Sequence, residues 1–411
     1  MLAALLIVGA LLGLYMAWNI GANDVANAMG TSVGSRALTL RKALIVAAVF
    51  EFGGAFFVGA PVTETMQKGI VDVDSLGDPV HFAVVMLAAL FAAGVWLQVA
   101  TWKGLPVSTT HAIVGGLAGG GLAAAGPGGV DWRTLTSIGT SWVISPLAGA
   151  LLGFVTFWSI SRGIINSRAP RYYVRRVAPY LAGLVVGILT LSMLFKGLKN
   201  LHLDLPLGAA LAATAPVSVA GGLGARWWVH RSRRPTNTVT RFSFVERQFG
   251  WLQIMTACYV AFAHGANDVA NAVGPVAGLW SAWLTGEVSS VVAVPAWMLA
   301  AGGFGIVIGL ATWGYKVMET IGHRITELTP SRGFSAEFAA ATTVLVCSKM
   351  GLPISTTHTL VGAVIGVGLA RGIAALDMRV LRDIVSSWIL TVPVAAGLAA
   401  AASWALLRVL G

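Results

Sequence analysis

The sequence predicts an all-α polytopic membrane protein. About 10–12 transmembrane elements are expected, in two inverted repeats with discontinuous helices or re-entrant hairpins. Composition, the recurrence of apolar runs and the duplication of two polar motifs carry this prediction. Of the 411 residues, 56% are hydrophobic and only 10% are charged. The mean hydropathy is +0.79. Soluble domains carry about 25% charged residues, so a soluble chain is disfavoured.

Apolar runs of roughly 20 residues, each long enough for a bilayer, lie near 2–21, 40–60, 80–101, 136–160, 178–195, 206–227, 250–265, 291–313, 336–350 and 381–408. Two further stretches, 105–125 and 352–370, follow breaks that contain proline. These two are either full spans or re-entrant hairpins. The first run has the length of a signal peptide but no charged leading region, and it runs directly into a polar motif, so it reads as a retained span. Cys258 and Cys347 lie in apolar segments and read as free thiols.

The octapeptide Gly-Ala-Asn-Asp-Val-Ala-Asn-Ala occurs at Gly21–Ala28 and again at Gly265–Ala272. Gly104-Leu-Pro-Val-Ser-Thr-Thr-His111 likewise matches Gly351-Leu-Pro-Ile-Ser-Thr-Thr-His358, and Ser141–Pro146 roughly matches Ser387–Pro393. Motif order is the same in both halves. The chain therefore divides into a first repeat at 1–160, a two-span insert with basic loops at 161–247, and a second repeat at 248–411.

With a net charge of +11 a nucleic-acid role would need an exposed basic domain, for which the apolar runs leave no room, and the positive charge marks cytoplasmic loops instead. Arg162, Arg168, Arg171, Arg175 and Arg176 crowd one loop, and Arg226, Arg231, Arg233, Arg234, Arg241 and Arg247 crowd another. Lys196–Asp204 between them is then external. Arg36, Arg41 and Lys42 follow the first octapeptide, whereas Gly274–Ser290 after the second has Glu287 and no lysine or arginine. Asp72, Asp74 and Asp78 in the next loop correspond to Lys316, His323, Arg324 and Arg332. The charge bias reverses in each pair, so the repeats are expected to be inverted, a common construction for secondary transporters.

Gly, Asn and Asp are poor in helix interiors, so the octapeptide is expected to break or unwind its helix. Asn23 and Asn27 share a face where the helix resumes, and Asn267 and Asn271 repeat the arrangement. Together with Asp24 and Asp268 they offer hard oxygen ligands for sodium or another small cation, placing sodium at Asp24 and Asp268. The plainer alternative is helix–helix adhesion by Asn and small residues. In the second motif Pro106 and Pro353 suit a first helical turn. Ser108, Thr109, Thr110, Ser355, Thr356 and Thr357 then line two helix N-termini, where free N–H groups and rotatable hydroxyls suit a tetrahedral oxyanion. An ordinary Ser/Thr cap is the alternative.

Neither motif contains Lys or Arg, so bound cations are expected to balance the anion. Gln98 is a further, asymmetric anion donor. His111 and His358 read as structural or proton-coupling groups. Glu51 and Glu337, ionisable in apolar stretches, read as coupling or gating groups. His264 has no counterpart in the first copy, where Ile20 stands, and carries little weight. No catalytic residue is expected: Ser108 with His111 is an unsupported pair. An anion channel is the competing class.

These motifs resemble the inorganic phosphate transporter (PiT) family. Gly30-Thr-Ser-Val-Gly-Ser35, Phe50-Glu51 and Glu64-Thr65 look like the branch that includes animal sodium–phosphate symporters. The resemblance covers both repeats. It implies symport of inorganic phosphate with sodium or protons, multi-pass placement in the cell (inner) membrane, a homodimer and no cofactor beyond sodium as co-substrate. It implies sodium ligands at Asn23, Asp24, Asn267 and Asp268, and phosphate near Ser108–Thr110 and Ser355–Thr357. Residues 162–247 lack the long cytoplasmic loop of animal members. Proton-coupled phosphate or sulfate transport remains an alternative.

Overall fold

The computed structural model describes residues 1–67, 70–197, 205–231, 241–288, 294–349 and 354–410. Side chains at 27, 60–67, 73–74, 195–197, 241–242 and 348–349 also fall outside the description. Among the described residues the α-helices are α1 (Leu2–Gly34), α2 (Leu40–Gln67), α3 (Val73–Leu76), α4 (Pro79–Trp102), α5 (Thr109–Ala125), α6 (Trp132–Ile160) and α7 (Pro170–Gly197). They continue with α8 (Leu207–Arg231), α9 (Arg241–Thr285), α10 (Ala296–Trp313), α11 (Tyr315–Glu319), α12 (Pro330–Lys349), α13 (Thr356–Leu369) and α14 (Met378–Leu410). Eight helical segments among them are long and apolar enough to cross a membrane.

The peripheral helices α6 and α14 are built inside out relative to a soluble bundle. On α6 the buried stripe is Ser141, Ser145, Gly149 and Gly153, while Val143, Leu147 and Leu151 are exposed. On α14 the buried stripe is Ser387, Thr391, Ala395, Ala399 and Ser403, with Ile389 and Leu390 outside. Helices in lipid gain nothing from hiding Leu from the solvent, so small residues take the interface and let backbones approach. Gly149 and Gly153 meet the Thr359 and Ala363 carbonyls of α13, and Gly115 and Gly119 of α5 meet Val392 and Ala396 of α14. Gly21 of α1 lies against Ile306 of α10, and Gly265 of α9 lies against Glu51 of α2. Each repeat thus packs on the reciprocal element of the other.

The two stretches after the proline breaks form hairpins with the helices before them, α5 with α4 and α13 with α12. α5 has 17 residues and α13 has 14, about 26 and 21 Å at 1.5 Å per residue, short of the roughly 30 Å hydrocarbon core. Gly116 faces Ala89 and Gly120 faces Val85, so α5 runs back antiparallel along α4. The outer ends of this hairpin are tied to one face: Asp131 N donates to Ile70 O at 3.1 Å, and Val71 bridges to Val130. The ends of α12–α13 are tied in the same way, with Asp377 N donating to Ile325 O at 3.1 Å. Asp131 then starts α6, accepting from Arg133 N at 2.9 Å and Thr134 N at 3.1 Å. Hydrogen bonding, first from the Thr134 backbone, holds this exposed carboxyl below its ordinary range.

Cys258 and Cys347 are free. The charged positions Arg233 and Arg234, the stretch 198–204 and the octapeptide residue Asn27 (as a side chain) lie outside the described residues.

A methyl group on Gly21 would overlap the Ile306 carbonyl. Gly21→Ala should therefore lower stability by about 1–3 kcal/mol, read as a lower melting temperature of the full chain in detergent. Gly139→Ala, which meets nothing within 4 Å, should leave it unchanged.

Candidate functional site

The helices carrying the two octapeptides do not unwind. α1 and α9 continue through Gly21–Ala28 and Gly265–Ala272, contrary to the expectation from helix propensity. The physical reason is that Asn and Asp destabilise a helix by competing for its own backbone, and here their polar atoms are engaged by other elements. Asn23 Nδ2 donates to Thr101 Oγ1 at 2.9 Å and to Leu105 O at 3.1 Å, and its Oδ1 accepts from Val107 N at 3.1 Å. Asn23 thereby pins the turn of the first hairpin. The discontinuity sits at the hairpin tips instead, at 103–108 and at the break before Thr356.

At each tip a serine is the helix cap. Ser108 Oγ accepts from His111 N, and Ser355 Oγ from His358 N, both at 3.2 Å. Each hydroxyl proton stays free to donate. The threonines that follow converge on the two aspartates, which are 2% and 1% exposed. Asp24 Oδ2 accepts from Thr109 N at 3.3 Å and Thr109 Oγ1 at 2.5 Å. Its Oδ1 accepts from Thr357 Oγ1 of the other hairpin. Asp268 Oδ2 accepts from Thr356 Oγ1 at 3.1 Å, and its Oδ1 from Thr110 Oγ1 at 3.5 Å. Asn271 Nδ2 spans Asp268 Oδ1 (3.1 Å), Thr109 Oγ1 (3.1 Å) and Thr110 Oγ1 (3.2 Å). Half-buried Asn267 also hydrogen-bonds Asp268. Both duplicated motifs thus form one cluster, and each aspartate is held by both hairpins.

His264, which sequence reasoning set aside, stands within this cluster. Its Nε2 lies 2.8 Å from Asp268 Oδ2 and 3.9 Å from Asp24 Oδ2, and its Nδ1 lies 3.0 Å from Glu51 Oε2. Imidazole donates from both nitrogens only when protonated. Glu51, expected as a coupling group, reaches the cluster through this histidine. The signal in the sequence was the asymmetry itself, a histidine one residue before the second octapeptide where the first has Ile20. One atom each of Asp24, His264 and Asp268 lie within 4.8 Å of one another, spacing that allows a metal ion.

Other expected site residues fall elsewhere. Gln98 Oε1 accepts the Tyr15 hydroxyl and makes no hydrogen bond to the threonines among the described residues, because it projects from α4 towards α1. Glu337 is fully buried in a second polar cluster: Thr31 Oγ1 (2.6 Å), Ser32 Oγ (2.8 Å), Gln253 Nε2 (3.2 Å) and Thr256 Oγ1 donate to it. His111 and His358 face one another at a ring separation of 4.2 Å, flanked by Trp142 and Trp388 at 3.8 Å each. Neither imidazole joins the aspartates. Equivalent residues of the two repeats meet in this four-ring stack.

The cavity bordering Asp24, His264, Thr356 and Thr357 holds about 20 Å³, close to one water-sized sphere. Ala28, Val260, Ala263, Ala340, Ala341, Val344 and Leu360 make up the rest of its wall. A tetrahedral oxyanion requires the threonines to turn away from the aspartates.

Fold and site together define a multi-span membrane transporter whose polar centre lies where two helical hairpins meet. The model of the phosphate transporter family matches residues 20–399. A Pyrococcus furiosus protein assigned as a phosphate permease is 44% identical over 407 residues, covering 99% of this chain and 97% of its own length. The chloroplastic inorganic phosphate transporter 2-1 of Arabidopsis thaliana is 45% identical, covering 97% of this chain and 72% of its own. A solved structure, "The sodium-dependent phosphate transporter", superposes with a TM-score of 0.91 at 43% identity, covering 99% of this chain and all of that one. The chain belongs to the phosphate transporter family; it is a transporter and not an enzyme.

Asn23→Leu removes the three hydrogen bonds that hold the first hairpin turn. It should lower stability by about 1–3 kcal/mol and reduce phosphate uptake in proteoliposomes while Asp24 remains in place. Unchanged melting and uptake would mean that the turn is positioned by other contacts.

Proposed function

We propose that the chain is a sodium-coupled symporter of inorganic phosphate that works by alternating access. The carrying observation is that Asp24 and Asp268 are each hydrogen-bonded by threonines of both hairpins. The name of the similar solved structure supports sodium as the co-substrate.

The hydroxyls supply the coupling. Each threonine O–H has one proton to donate and two lone pairs. While it donates to Asp24 or Asp268 it cannot donate to an anion. A sodium ion at the carboxylate takes over the charge and accepts the hydroxyl oxygen as a hard ligand. The hydroxyl proton then turns outward, beside the N-termini of α5 and α13, where an oxyanion is favoured. Cations therefore precede phosphate, and the site is complete only with both. Asn271 and Asn267 position Asp268, and Asn23 positions the turn that carries Thr109.

We infer that the repeats at 1–160 and 248–411, joined by the insert 161–247, are inverted, which chain parity gives if each long helix outside the two hairpins crosses once. Two crossings (α1, α2) precede the α4–α5 hairpin. Five more (α6–α10) precede α12–α13, and an odd number puts the hairpins on opposite faces. The same parity puts the basic loops after α1, α6, α8 and α10 on one side, which the charge bias makes cytoplasmic. The cell membrane is the location we propose with it.

Asp24→Asn and Asp268→Asn should each reduce sodium-driven phosphate uptake by roughly a hundredfold or more, the scale of a lost buried charge partner, with elution and melting of the purified protein retained. Equal competition by sulfate, or wild-type uptake in both variants, would sink this reading.

A proton-coupled reading has one observation in its favour, His264 set between Asp268 and Glu51. A protonated imidazole and a sodium ion would compete for the same carboxylates. His264→Gln should therefore keep uptake dependent on sodium and flatten its response to acid pH. Abolished uptake in this variant, together with parent uptake that follows a proton gradient and ignores sodium, would favour proton coupling.

A further inference from the structure

We propose that the groove between α7 and α8 binds the phosphate headgroup of an anionic membrane lipid. These helices belong to neither sequence repeat and pack antiparallel on each other. Ser218 Oγ donates to Gly183 O at 2.7 Å, and a Cβ on Gly183 would lie 2.9 Å from the Ser218 carbonyl. Gly183 and Gly222, lacking side chains, form the floor of a groove of about 1060 Å³.

One end of the groove is walled by Arg171, Arg175, Arg176, Arg226 and His230, and no carboxylate lines it. The other end is walled by exposed Leu184, Val219 and Leu223. Arg171 and Gly183 are twelve residues apart, about 18 Å along the helix, the length of a headgroup and the upper part of an acyl chain. The basic end adjoins the arginine-rich loop and the apolar end lies at membrane depth.

The guanidiniums are poised for a ligand. Arg175 Nε is buried and has no hydrogen-bond partner among the described residues. Its guanidinium carbon lies 5.3 Å from the Phe244 ring centroid, which holds the side chain in place. Arg176 donates to the Tyr172 hydroxyl at 2.8 Å. Neither of them, nor Arg226, forms an ion pair among the described residues. Unneutralised arginines between transmembrane helices match a phosphodiester, which accepts two N–H groups at once. The adjoining apolar wall matches an acyl chain and has no use for free phosphate. A second copy of the chain is the poorer occupant. The groove offers no carboxylate among the described residues to pair with these arginines across a two-fold interface.

The test uses the purified full chain and phosphatidylglycerol, titrated by native mass spectrometry against phosphatidylcholine. Wild type should retain phosphatidylglycerol in preference, and saturating inorganic phosphate should not displace it. The double variant Arg175→Gln/Arg226→Gln should bind about 25-fold more weakly, about fivefold per charge near an anionic headgroup, with unchanged elution and melting. Arg408→Gln, against Trp404, should bind as wild type. The proposal is overturned by equal retention of both lipids, by unchanged affinity in the double variant, or by displacement with inorganic phosphate, which would make the groove a soluble-anion site. Efficient self-cross-linking of Tyr180→Cys in membranes would also overturn it, because a second copy would then cover the groove.

Discussion

The structure depends on keeping two carboxylates at the centre of an apolar bundle. An unpaired charge there costs several kcal/mol even after relaxation. Asp24 and Asp268 are tolerable because each receives threonine hydroxyls from two hairpins, Asp24 also the Thr109 N–H and Asp268 the Asn271 amide, and both stand close to one imidazole. This requirement explains the hairpins. A continuous helix has no free N–H groups at its middle, so the chain must end a helix inside the membrane to bring Thr109 N to Asp24. Pro106 and the capping serine hydroxyls of Ser108 and Ser355 set where those ends fall.

Ending helices within the bundle has consequences for packing. A short helix buries little apolar area, so close backbone approach has to hold it. Glycine stripes serve this purpose between α5 and α14 and between α13 and α6. The same spacing that makes Gly149 and Gly153 weak helix formers makes them good contacts. The paired histidine–tryptophan stack locks the two hairpins to each other just behind the threonines. His111 and His358 thus act on the site through position, since their rings do not touch the aspartates.

Much of this was legible in the sequence, because repetition is readable without a fold. Two octapeptides and two hydroxyl motifs, in the same order, announced a doubled polar site and named both aspartates and all four threonines. Length alone left open how 105–125 and 352–370 run; contacts at their outer ends join each of them to the helix before it as a hairpin. Three features were hidden for a common reason: they depend on partners distant in the chain. The octapeptide helices stay intact because Asn23 bonds to residues near 101–107. Gln98 turns to Tyr15. His264 becomes central only when α9 is laid against α2, bringing Glu51 to its far side.

The closeness of the cluster bears on channel against carrier. A conducting pore needs a continuous aqueous path with several weak sites along it. Here the threonines bridge directly between hairpins and aspartates, and the space beside them is about 20 Å³. An oxyanion can enter only if threonines of one hairpin release an aspartate, and the carboxylate so exposed has to be neutralised before phosphate approaches. In the proposed inverted arrangement each hairpin opens towards its own face. Releasing both at once would leave two unpaired charges and no wall between the two sides. In the proposed mechanism the carboxylates that require cations also disfavour simultaneous opening, and this is the property that separates a coupled transporter from a leak.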